Sequence, residues 1–166
     1  MDNNINNRPT PEGFLRSLSV IHLALLAGQV IFGIVAYAQS KKIYFGIHNM
    51  DSVFMYIVPL VAIGGFMGGY LMFKKQLTVI RSKSSLGEKV IAYQTALIVR
   101  YALLEGPSLL AIVIYMQDGN LFFLGIAGLM ILYFLSLRPT MEKVENDLDL
   151  NFNERIEFLD KDSGIK

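Results

Sequence analysis

Four apolar runs dominate the chain: Leu18–Ala38, Val53–Phe73, Ala96–Met116 and Leu121–Leu137, of 21, 21, 21 and 17 residues. Crossing about 30 Å of hydrocarbon takes roughly 20 apolar residues at 1.5 Å each, so each run has the length of a membrane span. A backbone in lipid must satisfy its own hydrogen bonds, which uninterrupted runs of this kind do as helices. The alternation of a membrane barrel strand is absent. The pattern therefore predicts an all-α, polytopic membrane protein with four transmembrane helices over residues 14–138. A polar N-terminus (residues 1–13, with Pro9 and Pro11) is expected to be disordered, and residues 139–166 to form an acidic tail. The first run is longer than the roughly 7–15 apolar residues of a secretory leader, so Ala36-Tyr37-Ala38 is read as helix and not as a cleavage site.

Composition agrees with that pattern. The chain has 166 residues, 53% hydrophobic and only 17% charged, against roughly 25% charged in a soluble domain. A soluble α/β enzyme is disfavoured. With no cysteine, disulfide scaffolds, thiolate metal sites and cysteine nucleophiles are excluded. A net charge of +1 gives no global field for nucleic acid.

Charge placement sets an expected orientation. Arg8, Arg16, Lys74, Lys75, Arg81, Lys83, Lys89, Arg138 and Lys143 lie on one side of the four spans, Lys41 and Lys42 on the other. By the positive-inside rule both termini and the central loop are cytoplasmic. In that loop Ser85-Leu86-Gly87-Glu88 matches a capping box, so the third helix is expected to begin near Leu86. The basic stretch Lys74–Ser84 either attracts anionic lipid heads or simply enforces topology. In the tail, Asp147, Asp149, Asn151 and Asn153 alternate with apolar residues, but Phe152 and Phe158 stand where a calcium loop needs glycine and glutamate. A solvated tail with one short amphipathic element is expected.

Ile21–Gln39 and Val99–Gln117 share eight of 19 positions at an offset of 78, including Gly28/Gly106, Tyr37/Tyr115 and Gln39/Gln117. A duplicated two-helix unit follows as the expected architecture, both copies running the same way. The copies differ where Ala27 is matched by Glu105, Gln29 by Pro107 and His22 by Arg100.

Glu105 lies one residue from the centre of its span. A charge there costs at least about 2.5–3.5 kcal/mol, so such residues are rare and face a bundle interior. Burial favours the neutral, protonated carboxyl. Helical spacing puts Tyr101 and Ser108 on the same face as possible hydrogen-bond partners, and Gln29 lies at nearly the same depth on the first helix. Pro107 lacks an amide proton and frees the Leu103 carbonyl, which is expected to turn towards the same region. Arg100 is on a different face and is expected to snorkel to the interface. Two readings remain open. The carboxyl exchanges a proton or a cation, or it bonds a neighbouring helix as structural glue. In the second span Gly64, Gly65, Gly68 and Gly69 form two overlapping small-xxx-small patterns that permit close helix packing within the chain or between copies. His22 and His48 have no metal-ligand spacing, and the serines lack a histidine–carboxylate set, so no metal, cofactor or catalytic residue is expected.

A glycine-rich span, a basic loop and a span with one mid-membrane carboxylate resemble the rotor proteolipid (subunit c) of F- and V-type ATPases. Gly64-Gly65…Gly68-Gly69 and Ala102-Leu103-Leu104-Glu105-Gly106 carry the likeness, over roughly Val53–Met116. The resemblance implies Glu105 as ion carrier, with Gln29 and Ser108 as coordinating groups. The chain is also similar to small four-span proteins of bacterial inner membranes. The reading that follows is a small bacterial inner-membrane protein, not an enzyme, in a homo-oligomer or larger membrane complex that handles protons or cations. The alternative is a non-transporting accessory protein acting through its cytoplasmic tail.

Overall fold

Caps and one left-handed glycine set the helix limits in the computed structural model, which describes residues 11–46 and 52–159. Six helices follow in order: α1 (Pro11–Gln39), α2 (Phe54–Arg81), α3 (Leu86–Asp118), α4 (Leu121–Ser136), α5 (Met141–Leu148) and α6 (Phe152–Leu159). The serine half of the expected capping box forms: the Ser85 hydroxyl accepts the Glu88 N–H at 3.3 Å and α3 starts at Leu86, while the Glu88 carboxylate faces Lys83 at 3.9 Å. Gly119 ends α3 at φ +79°, a region open to glycine, and its N–H donates to the Tyr115 carbonyl at 2.7 Å. Asn120 then caps α4 by accepting the Phe122 N–H at 3.1 Å.

The segment after α1 clasps this α3–α4 turn. Tyr44 donates its N–H to the Gly119 carbonyl at 3.2 Å and accepts the Leu121 N–H at 2.8 Å, while its hydroxyl donates to Asp118 at 2.8 Å. The Asn120 amide donates to the Gly46 carbonyl at 2.7 Å. A β-carbon on Gly119 would collide with the Lys42 carbonyl, so the turn needs glycine for both space and backbone.

α3 is the central element, packed against α2, α4 and α1, whereas α1 rests on α3 and α4 and hardly meets α2. α1, α2 and α3 are each long and apolar enough to cross a membrane. α4 has 16 residues, about 24 Å at 1.5 Å per residue, and makes a fourth span only together with α5, from which it is bent by 81°. The protein is all-α among the described residues, with three or four helices fit to cross a bilayer.

The polar ends differ from expectation. Residues 11–13 form the first turn of α1, and residues 1–10, 160–166 and His48 lie outside the described residues. The tail carries two helices, and both dock on the basic ends of α2 and α3. Val144, Leu148 and Phe158 are fully buried in one cluster with Phe73, Leu77 and Tyr93. Tyr93 donates to the Asp147 carboxylate at 2.8 Å, and Arg81 donates to the carbonyls of Asp147 and Asn146 at 2.7 and 3.3 Å. Lys89 and Glu154 pair at 2.6 Å with both side chains largely covered. Asp147 is thus engaged in docking.

Candidate functional site

Buried apolar residues fall into two clusters separated by a polar layer. On α3 the cluster at the basic end stops at Leu104, and the cluster at the hairpin end resumes with the buried Ala111. Between them lie Glu105 and Ser108, one helical turn apart on neighbouring positions of one face.

The partner element for this layer is α1, which runs parallel to α3. His22 lies against Tyr101, with ring centroids 5.1 Å apart, and a β-carbon on Gly33 would touch Ile112. Both contacts join positions 79 residues apart, a register that sets Gln29 level with Ser108. Gln29 is 1% exposed and Ser108 fully buried. The Gln29 amide donates weakly to the Leu25 carbonyl at 3.4 Å, while its Oε1 and the Ser108 Oγ have no hydrogen-bond partner among the described residues. Glu105 is half-buried at the edge between this packed face and the exposed stripe of Ile98, Ala102 and Gly106. It makes no hydrogen bond or ion pair among the described residues.

Other residues of the expected constellation are directed elsewhere. Tyr101 is buried, but its hydroxyl donates to the Leu137 carbonyl at 3.2 Å, at the end of α4. Arg100 turns away from Glu105: one guanidinium nitrogen donates to the Tyr133 hydroxyl at 2.9 Å, and the group lies 4.7 Å over the Phe73 ring. The carbonyl freed by Pro107 does not face Glu105 either. A β-carbon on Gly65 would strike the Leu103 oxygen and the Pro107 ring, so that carbonyl faces the bare Cα of Gly65 on α2. Of the glycine pairs, Gly65 and Gly69 lie against α3, while a β-carbon added at Gly64 or Gly68 would meet nothing within 4 Å.

Two buried groups at the layer's margins were given no role by spacing alone. His22 is sandwiched by Phe134 (4.7 Å, stacked) and Tyr101, with neither ring nitrogen bonded. The Tyr115 hydroxyl is likewise buried without a partner. A polar residue recurring on an apolar helix face was the available signal for both.

The layer can hold a proton on the Glu105 carboxyl, and it offers hydroxyl and amide oxygens one turn away. No protein-family model, curated protein or solved structure matches the chain, so this site is defined by its own residues.

Proposed function

We propose that the chain is an integral protein of the bacterial inner membrane, with both termini cytoplasmic, in which Glu105 takes up and releases a proton or a small cation. The observation that carries this reading is the unpartnered, half-buried carboxyl in the polar layer midway along α3. An ionised group there is expensive and a protonated one wants an acceptor, so a carboxyl without a fixed partner suits exchange better than structure. The unmet oxygens of Gln29 and Ser108 supply acceptors at the same level. The likeness to the rotor proteolipid supports the same chemistry.

Position at the packed edge also favours assembly. A second copy laid on the exposed stripe of α3 would cover Glu105, and the open Gly64 and Gly68 would permit close approach on α2. The duplicated hairpin belongs to the proposal too, supported by the offset of 78 in sequence.

A carbodiimide reagent tests the site in native membranes. Labelling at Glu105 that falls at high pH, or that Na⁺ blocks, is the expected result. A Glu105 that stays unlabelled under all these conditions removes the ion-exchange reading.

The accessory-protein reading has one observation of its own. Phe152 and Ile156, one turn apart on α6, are 78% and 54% exposed beside the docked face. A partner bound there would be lost on replacing both with serine, with labelling of Glu105 unchanged.

A further inference from the structure

The basic end of α2 forms a pocket that sequence spacing alone does not reveal. Lys74, Thr78 and Arg81 follow at helical spacing on one face of α2, and α3 adds Arg100, α5 Asp147. The cavity measures about 370 Å³, and Tyr70 and Phe73 form its wall towards the bilayer centre. Three cationic side chains face a single carboxylate, and that carboxylate already accepts the Tyr93 hydroxyl at 2.8 Å. Lys74 leans on the Tyr70 ring at 5.5 Å, and neither Lys74 nor Arg100 has an ion-pair partner among the described residues. The Arg100 Nε is buried with no acceptor. A guanidinium placed this deep with an unused donor calls for an anion.

The same face of α2 continues one turn on, from Tyr70 to Phe66, into the lining of a second, apolar cavity. Arg100 donates to the Tyr133 hydroxyl, and Tyr133 lines a groove of about 410 Å³ between α2 and α4. Ile63 and Phe66 form one side, Ile126, Leu129 and Met130 the other. Phe66 and Tyr133 meet at 4.6 Å between centroids at the end of the groove nearest the charged pocket. A charged pocket at the membrane boundary, followed along the same helix face by an apolar groove, has the polarity of one phospholipid molecule.

We propose that this composite site binds an anionic phospholipid, with its headgroup phosphate held by Lys74, Arg100 and the remaining Nη1 of Arg81, whose Nε and Nη2 donate to α5 carbonyls, and with one acyl chain in the α2–α4 groove. The Thr78 hydroxyl, which donates to the Lys74 carbonyl at 3.4 Å, turns to the same phosphate. A zwitterionic lipid brings its own ammonium into a pocket that already carries excess positive charge, so it binds less well. The groove fixes the ligand class: a soluble phosphate would gain nothing from it.

The test uses the full-length chain in nanodiscs of equimolar phosphatidylglycerol and phosphatidylcholine, with native mass spectrometry of the lipid retained after detergent transfer. Phosphatidylglycerol should be retained over phosphatidylcholine by about tenfold. Lys74→Gln should lower that preference about fivefold, and Ile63→Trp, which fills the groove, should reduce retention of both lipids. Lys75→Gln, outside the pocket, should leave it unchanged. Arg100→Gln is informative where it folds, and the Lys74 and Ile63 variants decide the matter where it does not. Equal retention of the two lipids, or a preference untouched by Lys74→Gln, overturns the site. Millimolar inorganic phosphate that strips the bound lipid while Ile63→Trp has no effect shows a soluble-anion pocket and overturns the lipid assignment.

Discussion

At the scale of single residues, two positions show how the membrane environment sharpens ordinary chemistry. Gly65 sits where Pro107 has removed an N–H and left the Leu103 carbonyl without its helical donor. Because glycine has no β-carbon, α2 can approach until its Cα covers that oxygen. Gly65→Val therefore forces the helices apart, and we expect a loss of about 2–3 kcal/mol in detergent unfolding, the range for overpacking a tight contact. Gly64→Ala, with nothing within 4 Å, should be nearly neutral in the same assay. Glu105 illustrates the opposite case. Its depth follows from its place in the third apolar run, and helical spacing makes Ser108 a same-face neighbour. Spacing could not show that Tyr101 reaches the Leu137 carbonyl, because a long phenol samples a full turn beyond its own Cα.

At the scale of elements, the tail carries the clearest departure from expectation. Eight acids along residues 139–166 suggest solvation, yet Val144, Leu148 and Phe158 are fully buried. The apolar positions are few, and their binding surface belongs to α2 and α3, so no local pattern declares it. One local signal was present: Asn151 and Glu154 cap α6 reciprocally, at 2.9 and 3.0 Å, where α3 forms only the Ser85 half of the same motif. Glu154 also anchors the docking. Burial pushes its carboxyl up, but the hydrogen bond from Lys89, the Asn151 N–H and the Lys89 charge together hold it below the ordinary value of 4.5. A depressed folded-state value means the stabilisation is complete above the ordinary glutamate range and is lost as pH falls through the depressed value. The protection of α5 and α6 amides, taken relative to the intrinsic exchange rate at each pH, should be high at neutral pH and fall in acid, below that range. Glu154→Gln should lower that protection already at neutral pH. Protection that stays constant with pH in the wild type would contradict the role of this pair.

At the scale of the whole molecule, the long apolar runs made the helical class legible, since length and hydropathy alone decide it. The packing order was not legible. Consecutive helices usually pair, but here α1 passes over α2 to lie along α3 and α4, with the Tyr44 segment clasping the α3–α4 turn from outside. Only side-chain fit, such as His22 between Tyr101 and Phe134, distinguishes that arrangement. The fourth span also depended on tertiary geometry, because α4 and α5 are bent by 81° across Arg138-Pro139. The absence of cysteine in the chain allows a clean test of orientation. Lys143→Cys should react with an impermeant maleimide only from the cytoplasmic face, and Lys41→Cys only from the other. Reaction of both from one face would contradict the positive-inside assignment.

These scales meet at Glu105, whose carboxyl lies between two apolar clusters with no partner of its own in the described chain. Ion flux through liposomes containing the purified protein tests its role most directly. Under an imposed proton or Na⁺ gradient the wild type should conduct, and Glu105→Gln should abolish conduction while leaving thermal stability and oligomeric state unchanged. Equal flux from wild type and Glu105→Gln, or no flux from either, would contradict the account.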